Sequence, residues 1–120
     1  MIHYLATPYT HVNPSIVDAR VRETMRYAHA LLSAGYTVFS PILHCHNMAN
    51  NHDMPTDAKF WWEYNLAHLQ AFKRVIVCEI DGWKMSTGVK MEIQWARDND
   101  VPLMFCTLHD DGKIALRHAY

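Results

Sequence analysis

Apolar residues follow two rhythms along this chain. Unbroken or nearly unbroken runs at 2–6, 36–40, 75–80 and 101–107 have the length of strands, and the stretches between them carry apolar residues every three to four positions. In the first such stretch these are Ile16, Val17, Val21, Met25, Ala28, Leu31 and Leu32. Asn13 is a good N-cap for it, and Pro14 fits the first helical position, where its missing N–H would have no partner anyway. Gly35 is the expected stop, and Pro41 ends the strand that follows. A second helix is predicted over 58–72, with Phe60, Trp61, Tyr64, Leu66, Leu69 and Phe72 on and around its apolar face. Thr56 or Asp57 caps it, and Lys73 and Arg74 suit the negative end of its dipole. The run at 75–80 is apolar enough to be a central strand covered on both faces. Ser86 caps a third helix over 87–99, with Val89, Ile93 and Ala96 inward. A turn at Asp110-Asp111-Gly112 leads to a short fifth strand at 113–117. Residues 41–57 show no period and read as a long irregular loop, a kind of segment that is usually functional in a compact domain.

Strands alternating with helices imply right-handed βαβ units. The expected fold is α/β: one Rossmann-like (flavodoxin-like) domain over 1–120, with a mostly parallel sheet of four to five strands and helices on both faces. In such sheets ligands bind beyond the carboxyl ends of the strands, where strand order reverses. That directs attention to 7–10, 41–57 and 81–92.

Composition narrows the function classes. Lys+Arg total 11 against 12 Asp+Glu, a formal charge of -1, so no basic excess remains to neutralise duplex nucleic acid. No apolar run approaches the roughly 20 residues that cross a bilayer, and the first residues lack the marks of a signal peptide. Cys45, Cys78 and Cys106 are odd in number and form no CxxC, which points to thiols in a reducing, cytoplasmic setting.

The most informative chemistry lies at 81–92. Ser86 and Gly88 fall at a strand-to-helix junction, where free N–H groups, a hydroxyl and the lack of a side chain suit an anion. Glu92 shares a helix side with Gly88, so its carboxylate can face the same cleft as nucleophile or general base. The bland alternative is a capped helix with a solvated Glu. Glu79 and Asp81 flank the end of the third strand, and Asp81 also suits a cap of the Asp-Gly turn. Trp83, just before Ser86, is a candidate wall for stacking a base. At 4–9 the strand ends in small and hydroxyl residues that let a ligand approach, with Thr7 as a further hydroxyl, but it lacks the Gly-rich dinucleotide fingerprint, and no cofactor is expected. His44 and His46 flank Cys45; with His52 or Asp53 they match no standard zinc spacing, so no metal is assigned and they are read as substrate or loop residues.

In order along the chain, Tyr4-Leu5-Ala6, Ser40-Pro41-Ile42 with His44 and His46, Phe60-Trp61-Trp62, and Gly82-Trp83 followed by Ser86-x-Gly88-x-x-x-Glu92 resemble the nucleoside 2-deoxyribosyltransferase-like superfamily, in its branch of short bacterial and phage proteins. The resemblance implies cleavage of an N-glycosidic bond. Glu92 would attack the anomeric carbon and form a glycosyl-enzyme that water or a second base resolves, and Tyr4 would help to hold it. Ser86 stands where the deoxynucleoside 5′-monophosphate N-glycosidases carry a phosphate-binding Ser, which favours hydrolysis of a nucleotide over base exchange on a nucleoside. Thr7, Tyr9, His44, His46, Asn65, Asp81, Trp83, Ser86 and Gly88 would surround the substrate. Two positions depart from the pattern: Asn65 replaces the usual Asp, and Tyr9 stands near where those glycosidases carry an Arg. These departures keep a catalytically inactive nucleotide sensor as an alternative. Relatives imply a homodimer or larger homo-oligomer.

Overall fold

The computed structural model describes residues 1–55 and 57–119. Strands β1 (His3–Ala6), β2 (Val38–Phe39), β3 (Val75–Cys78), β4 (Leu103–Leu108) and β5 (Ile114–His118) form one sheet. The strand order is β2-β1-β3-β4-β5, with β5 antiparallel to β4 and every other pair parallel. This is the flavodoxin-like order of the doubly wound fold, with its switch point between β1 and β3. Register fixes those two strands side by side: Tyr4 lies opposite Val75 and Ala6 opposite Val77.

Strand alternation divides the core in two. Tyr4, Ala6, Val75, Val77, Leu103 and Phe105 face α3 (Ala58–Phe72) and α4 (Thr87–Asp98), which contribute Leu69, Val89 and Ala96. Leu5, Ile76, Cys78 and Cys106 face α1 (Pro14–Ser33), which contributes Tyr27, Ala28 and Leu31. All four β3 residues are buried, as a central strand covered on both sides requires. The strand stops at Cys78, earlier than the apolar run, because Ile80 N turns back to Cys78 O at 2.8 Å.

The helix signals are used as chemistry dictates. Asn13 accepts from Ser15 N at 2.9 Å with Pro14 next to it, and Asp57 accepts from Phe60 N at 3.2 Å. Gly35, at φ +96, follows the end of α1 in the left-handed region that L side chains avoid. Thr56, the other proposed cap of α3, lies outside the described residues.

One expectation is overturned. Residues 41–57 do not form an irregular loop: Pro41–Asn51 is a helix, α2. Ser40 caps it, accepting from Leu43 N at 3.1 Å, and Pro41 opens it instead of merely ending β2. Only Pro41 and Cys45 of α2 are buried, so its apolar stripe is too thin to register as a period. Because Ser40 and Pro41 belong to the helix start, β2 shrinks to two residues.

Candidate active site

The centre of the site is a pair. The Tyr4 hydroxyl donates a short hydrogen bond to Glu92 Oε2. Tyr4 is fully buried on β1, and Glu92, on α4, keeps 5% of its surface accessible. Glu92 occupies the inward side of α4 with Val89 and Ala96, three residues before and four after it, which is why a carboxylate sits where an apolar residue would be expected. No cation pairs with it among the described residues. Removal from water disfavours the charged form, and the single Tyr4 hydrogen bond only partly offsets this. The Glu92 carboxyl is therefore pushed up to about 8. Tyr4 is pushed far above its ordinary value by burial, with the Glu92 charge and hydrogen bond adding to it. Oε1 receives no hydrogen bond from the described residues.

Around the pair stand α2 and α3. Cys45 of α2 is buried, and its thiol lies close enough to the Tyr64 hydroxyl of α3 to raise that phenol. Desolvation, with the nearby Cys45 thiol, pushes Tyr64 up to about 12. Both groups are close enough to Tyr4 to raise it further. Tyr9, in the loop after β1, bonds His46 Nδ1 at 2.8 Å, and His46 Nε2 lies 3.2 Å from Asn50 Nδ2. Both ring nitrogens of His46 are thus engaged within the protein. Among the described residues no three His, Cys, Asp or Glu side chains gather as a metal site.

The other expected residues are placed less tightly. Ser86 caps α4, its Oγ accepting from Val89 N at 3.3 Å, which leaves its proton free to donate. Gly88 is exposed in the first turn, and a Cβ there would meet only Ser86 Oγ, at 3.9 Å, so approach from outside is open. Thr7 is buried and its hydroxyl has no partner. Asn65 is half-buried on α3, and His44 is exposed with its ring near Phe39.

Two expectations find other surroundings. Trp83 lies in a 3₁₀ turn (Trp83–Met85) and packs on Phe105, with ring centroids 5.5 Å apart. It lines a groove with Lys90, Ile93, Arg97 and Phe105. Asp81 is exposed, and the turn is instead held by the backbone, Trp83 N to Ile80 O at 3.0 Å.

Arg20 is the neighbour that the sequence reading missed. From α1 it donates Nη1 to Thr10 O at 2.8 Å, and its Nη2 lies against Gly82, where a Cβ would come within 2.5 Å. Gly82, at φ +91, is thus a glycine for two reasons, backbone conformation and space. The available signal was a cation between Val17, Val21 and Thr24, on the side of α1 that packs inward.

Fold and site together define a flavodoxin-like α/β protein with a buried carboxylate–phenol pair beside the switch point of its sheet. Residues 1–107 match the model of the family described as Domain of unknown function (DUF1937), and the chain belongs to that family. No curated protein matches it.

Proposed function

We propose that the protein is an N-glycosidase that cleaves the base–sugar bond of a (deoxy)nucleoside 5′-monophosphate, with Glu92 as nucleophile. The observation that carries this reading is the Tyr4–Glu92 pair: a carboxylate removed from solvent and, among the described residues, paired with no cation, one oxygen held by a phenol and the other unengaged. Such a group costs stability, and among the described residues only the Tyr4 phenol answers it, which is the mark of a reactive position. The Ser86-capped start of α4, with its free hydroxyl proton and open Gly88, supports a substrate bearing an anionic end.

The chemistry proceeds in two displacements. Ionised Glu92 Oε1 attacks C1′, the C1′–N bond breaks, and its electron pair leaves with the base, which takes a proton from solvent. Water then attacks C1′, the glycosyl–Oε1 bond breaks, the proton of the water passes to solvent, and the carboxylate is restored. Splitting the displacement gives two lower barriers in place of one high one. Tyr4 is the positioning residue: its hydrogen bond fixes Oε2, leaves Oε1 unengaged and favours the ionised form.

Two observations favour a second reading, an inactive nucleotide sensor. Burial leaves Glu92 largely protonated at neutral pH, and no carboxylate stands at position 65. Chromatographic detection of free base from the four deoxynucleoside 5′-monophosphates separates the two. The glycosidase reading expects base release that disappears in Glu92→Ala protein with an unchanged circular dichroism spectrum. Binding without base release over hours supports the sensor.

A further inference from the structure

We infer that the groove lined by α4, Trp83 and Phe105 binds a nucleoside triphosphate, with the base on Trp83 and the phosphates on Lys84, Lys90 and Arg97. The groove has a volume of about 450 Å³, within the range of small-molecule sites. Its wall is one stripe of α4: Lys90, Ile93, Gln94 and Arg97 recur at i, i+3, i+4 and i+7. Glu92 belongs to another stripe of that helix, with Val89 and Ala96. Of the residues expected around the substrate of Glu92, the groove contains Trp83 alone.

Among the described residues the lining carries cations and no carboxylate. Lys84, Lys90 and Arg97 are exposed, and the ion pairs among the described residues are Arg26–Glu23, Lys59–Glu63 and Arg117–Glu79. The acids that adjoin the groove are engaged. Asp98, next to Arg97 in the chain, accepts from Gln94 Nε2 at 2.8 Å. Glu79, near enough for Lys84 to act on it, is held by Arg117. Unanswered charge of one sign around a concave apolar floor draws in an anion. The floor suits a planar body. Trp83 is half-buried and leans on Phe105 with 52° between the rings. Lys84 Nζ lies 5.6 Å from the Trp83 centroid, so the indole offers a face to groups outside the core. Such a face stacks any base. Lys90 and Arg97 stand two turns apart, roughly 10 Å along α4. A single phosphate brings about two negative charges, too few for three cations. A triphosphate chain brings more and is long enough to meet more than one of them, with the Arg97 fork suited to its oxygens. A stable protein interface engages roughly 20–30 residues a side, far beyond the seven that line this groove. The inference goes beyond the proposed glycosidase and does not rest on it.

Calorimetric titration with the four ribonucleoside triphosphates, and with inorganic tripolyphosphate as the probe without a base, tests the groove. At least one nucleoside triphosphate is expected to bind, about tenfold or more tighter than tripolyphosphate. Protein carrying Lys90→Gln and Arg97→Gln should bind both at least about tenfold more weakly. Both side chains are exposed on α4, so this double variant is expected to keep its circular dichroism spectrum. Trp83→Leu should erase the advantage over tripolyphosphate; the double variant keeps the test decisive if the Leu variant does not fold. Binding of none of the four overturns the inference. An affinity that the double variant leaves unchanged puts the ligand elsewhere and overturns it. Tripolyphosphate binding as tightly as every nucleoside triphosphate shows plain ion pairing and overturns it, as does an advantage that survives Trp83→Leu. A decaglutamate peptide that binds tighter than every triphosphate, and weakens in the double variant, assigns the groove to an acidic protein segment and overturns it too. No arm reads base release, so a protein that frees no base can still bear out the groove, and an empty groove leaves the glycosidase reading intact.

Discussion

Two glutamates in this protein, one at the end of β3 and one on α4, meet opposite fates. Glu79 accepts from Arg117 Nη2 at 2.8 Å and from Thr107 Oγ1 at 2.8 Å, with a further short bond from Arg117 Nη1. Those bonds hold its carboxyl below the usual carboxylate range and tie β5 to the rest of the sheet. The Arg117 guanidinium also lies 5.2 Å from the Phe105 ring centroid. Among the described residues Glu92 meets one phenol and no cation; it is almost closed to solvent and is pushed up to about 8. The first arrangement satisfies its charge and has nothing left to offer a ligand. The second leaves an oxygen unengaged at a cost in stability. Residue type does not distinguish structural from reactive carboxylates; the surrounding donors do.

The sharpest way to break this contrast is to remove the Glu92 charge. Glu92→Gln keeps the shape and a partner for Tyr4, and base release should fall by about 10³-fold or more, read by chromatography of free base. Glu79→Gln should leave base release unchanged. If the two variants lose activity equally, the division of roles fails.

Tyr4→Phe comes next, with an expected loss in kcat of roughly 10- to 100-fold. The Tyr4 hydrogen bond lowers the Glu92 pKa, so its removal should move the midpoint of the pH–rate profile upward. In the natural chain kcat/KM should rise with pH through about 8, as the free enzyme ionises Glu92. A profile flat from pH 6 to 9 would show that another group controls the reaction.

The same contrast has a stability form with opposite signs. Folded Glu92 holds its proton more tightly than unfolded Glu92, so its contribution is fully present at acid pH and is lost as pH rises from the ordinary carboxylate range through about 8. Glu92→Gln should therefore stabilise the protein by about 1–3 kcal/mol at pH 9 and by less near pH 5, read from urea unfolding at both values. Glu79 runs the other way. Its stabilisation is present above the ordinary carboxylate range and is lost as pH falls through its lowered folded value. Glu79→Gln should lower the melting temperature by a few degrees at neutral pH, and by less in acid.

The smallest effect concerns the helix that carries Cys45 and His46. Ser40→Ala removes the cap of α2 and should cost about 1 kcal/mol in urea unfolding, with only a minor change in activity.

Much of this was legible before any coordinates. The four parallel strands, the three helices with clear stripes and the short final hairpin follow from period, length and caps. The Glu92 position follows from its spacing to Gly88 and Ser86, and its partner Tyr4 came from the resemblance. What was not legible depends on contacts between distant residues. The Ser40-Pro41 start has the same cap-then-proline form as Asn13-Pro14, yet α2 buries only Pro41 and Cys45, so no stripe announced the helix behind it. Arg20 against Gly82, Cys45 close to Tyr64 and Tyr9 bonded to His46 arise only once distant segments converge over the sheet. Trp83 shows the converse: it lies close in sequence to Ser86, yet its ring packs on Phe105 of β4 and lines a groove with Lys90, Ile93 and Arg97.

The covalent intermediate is the most direct test of the central claim. The chain would be incubated with a 2′-fluorinated deoxynucleoside 5′-monophosphate, in which the fluorine slows the second displacement, then quenched in acid and mapped by peptide mass spectrometry. The account predicts a sugar-phosphate adduct on the peptide containing Glu92, absent in Glu92→Gln. Base release with no adduct there, or an adduct on any other residue, would contradict it.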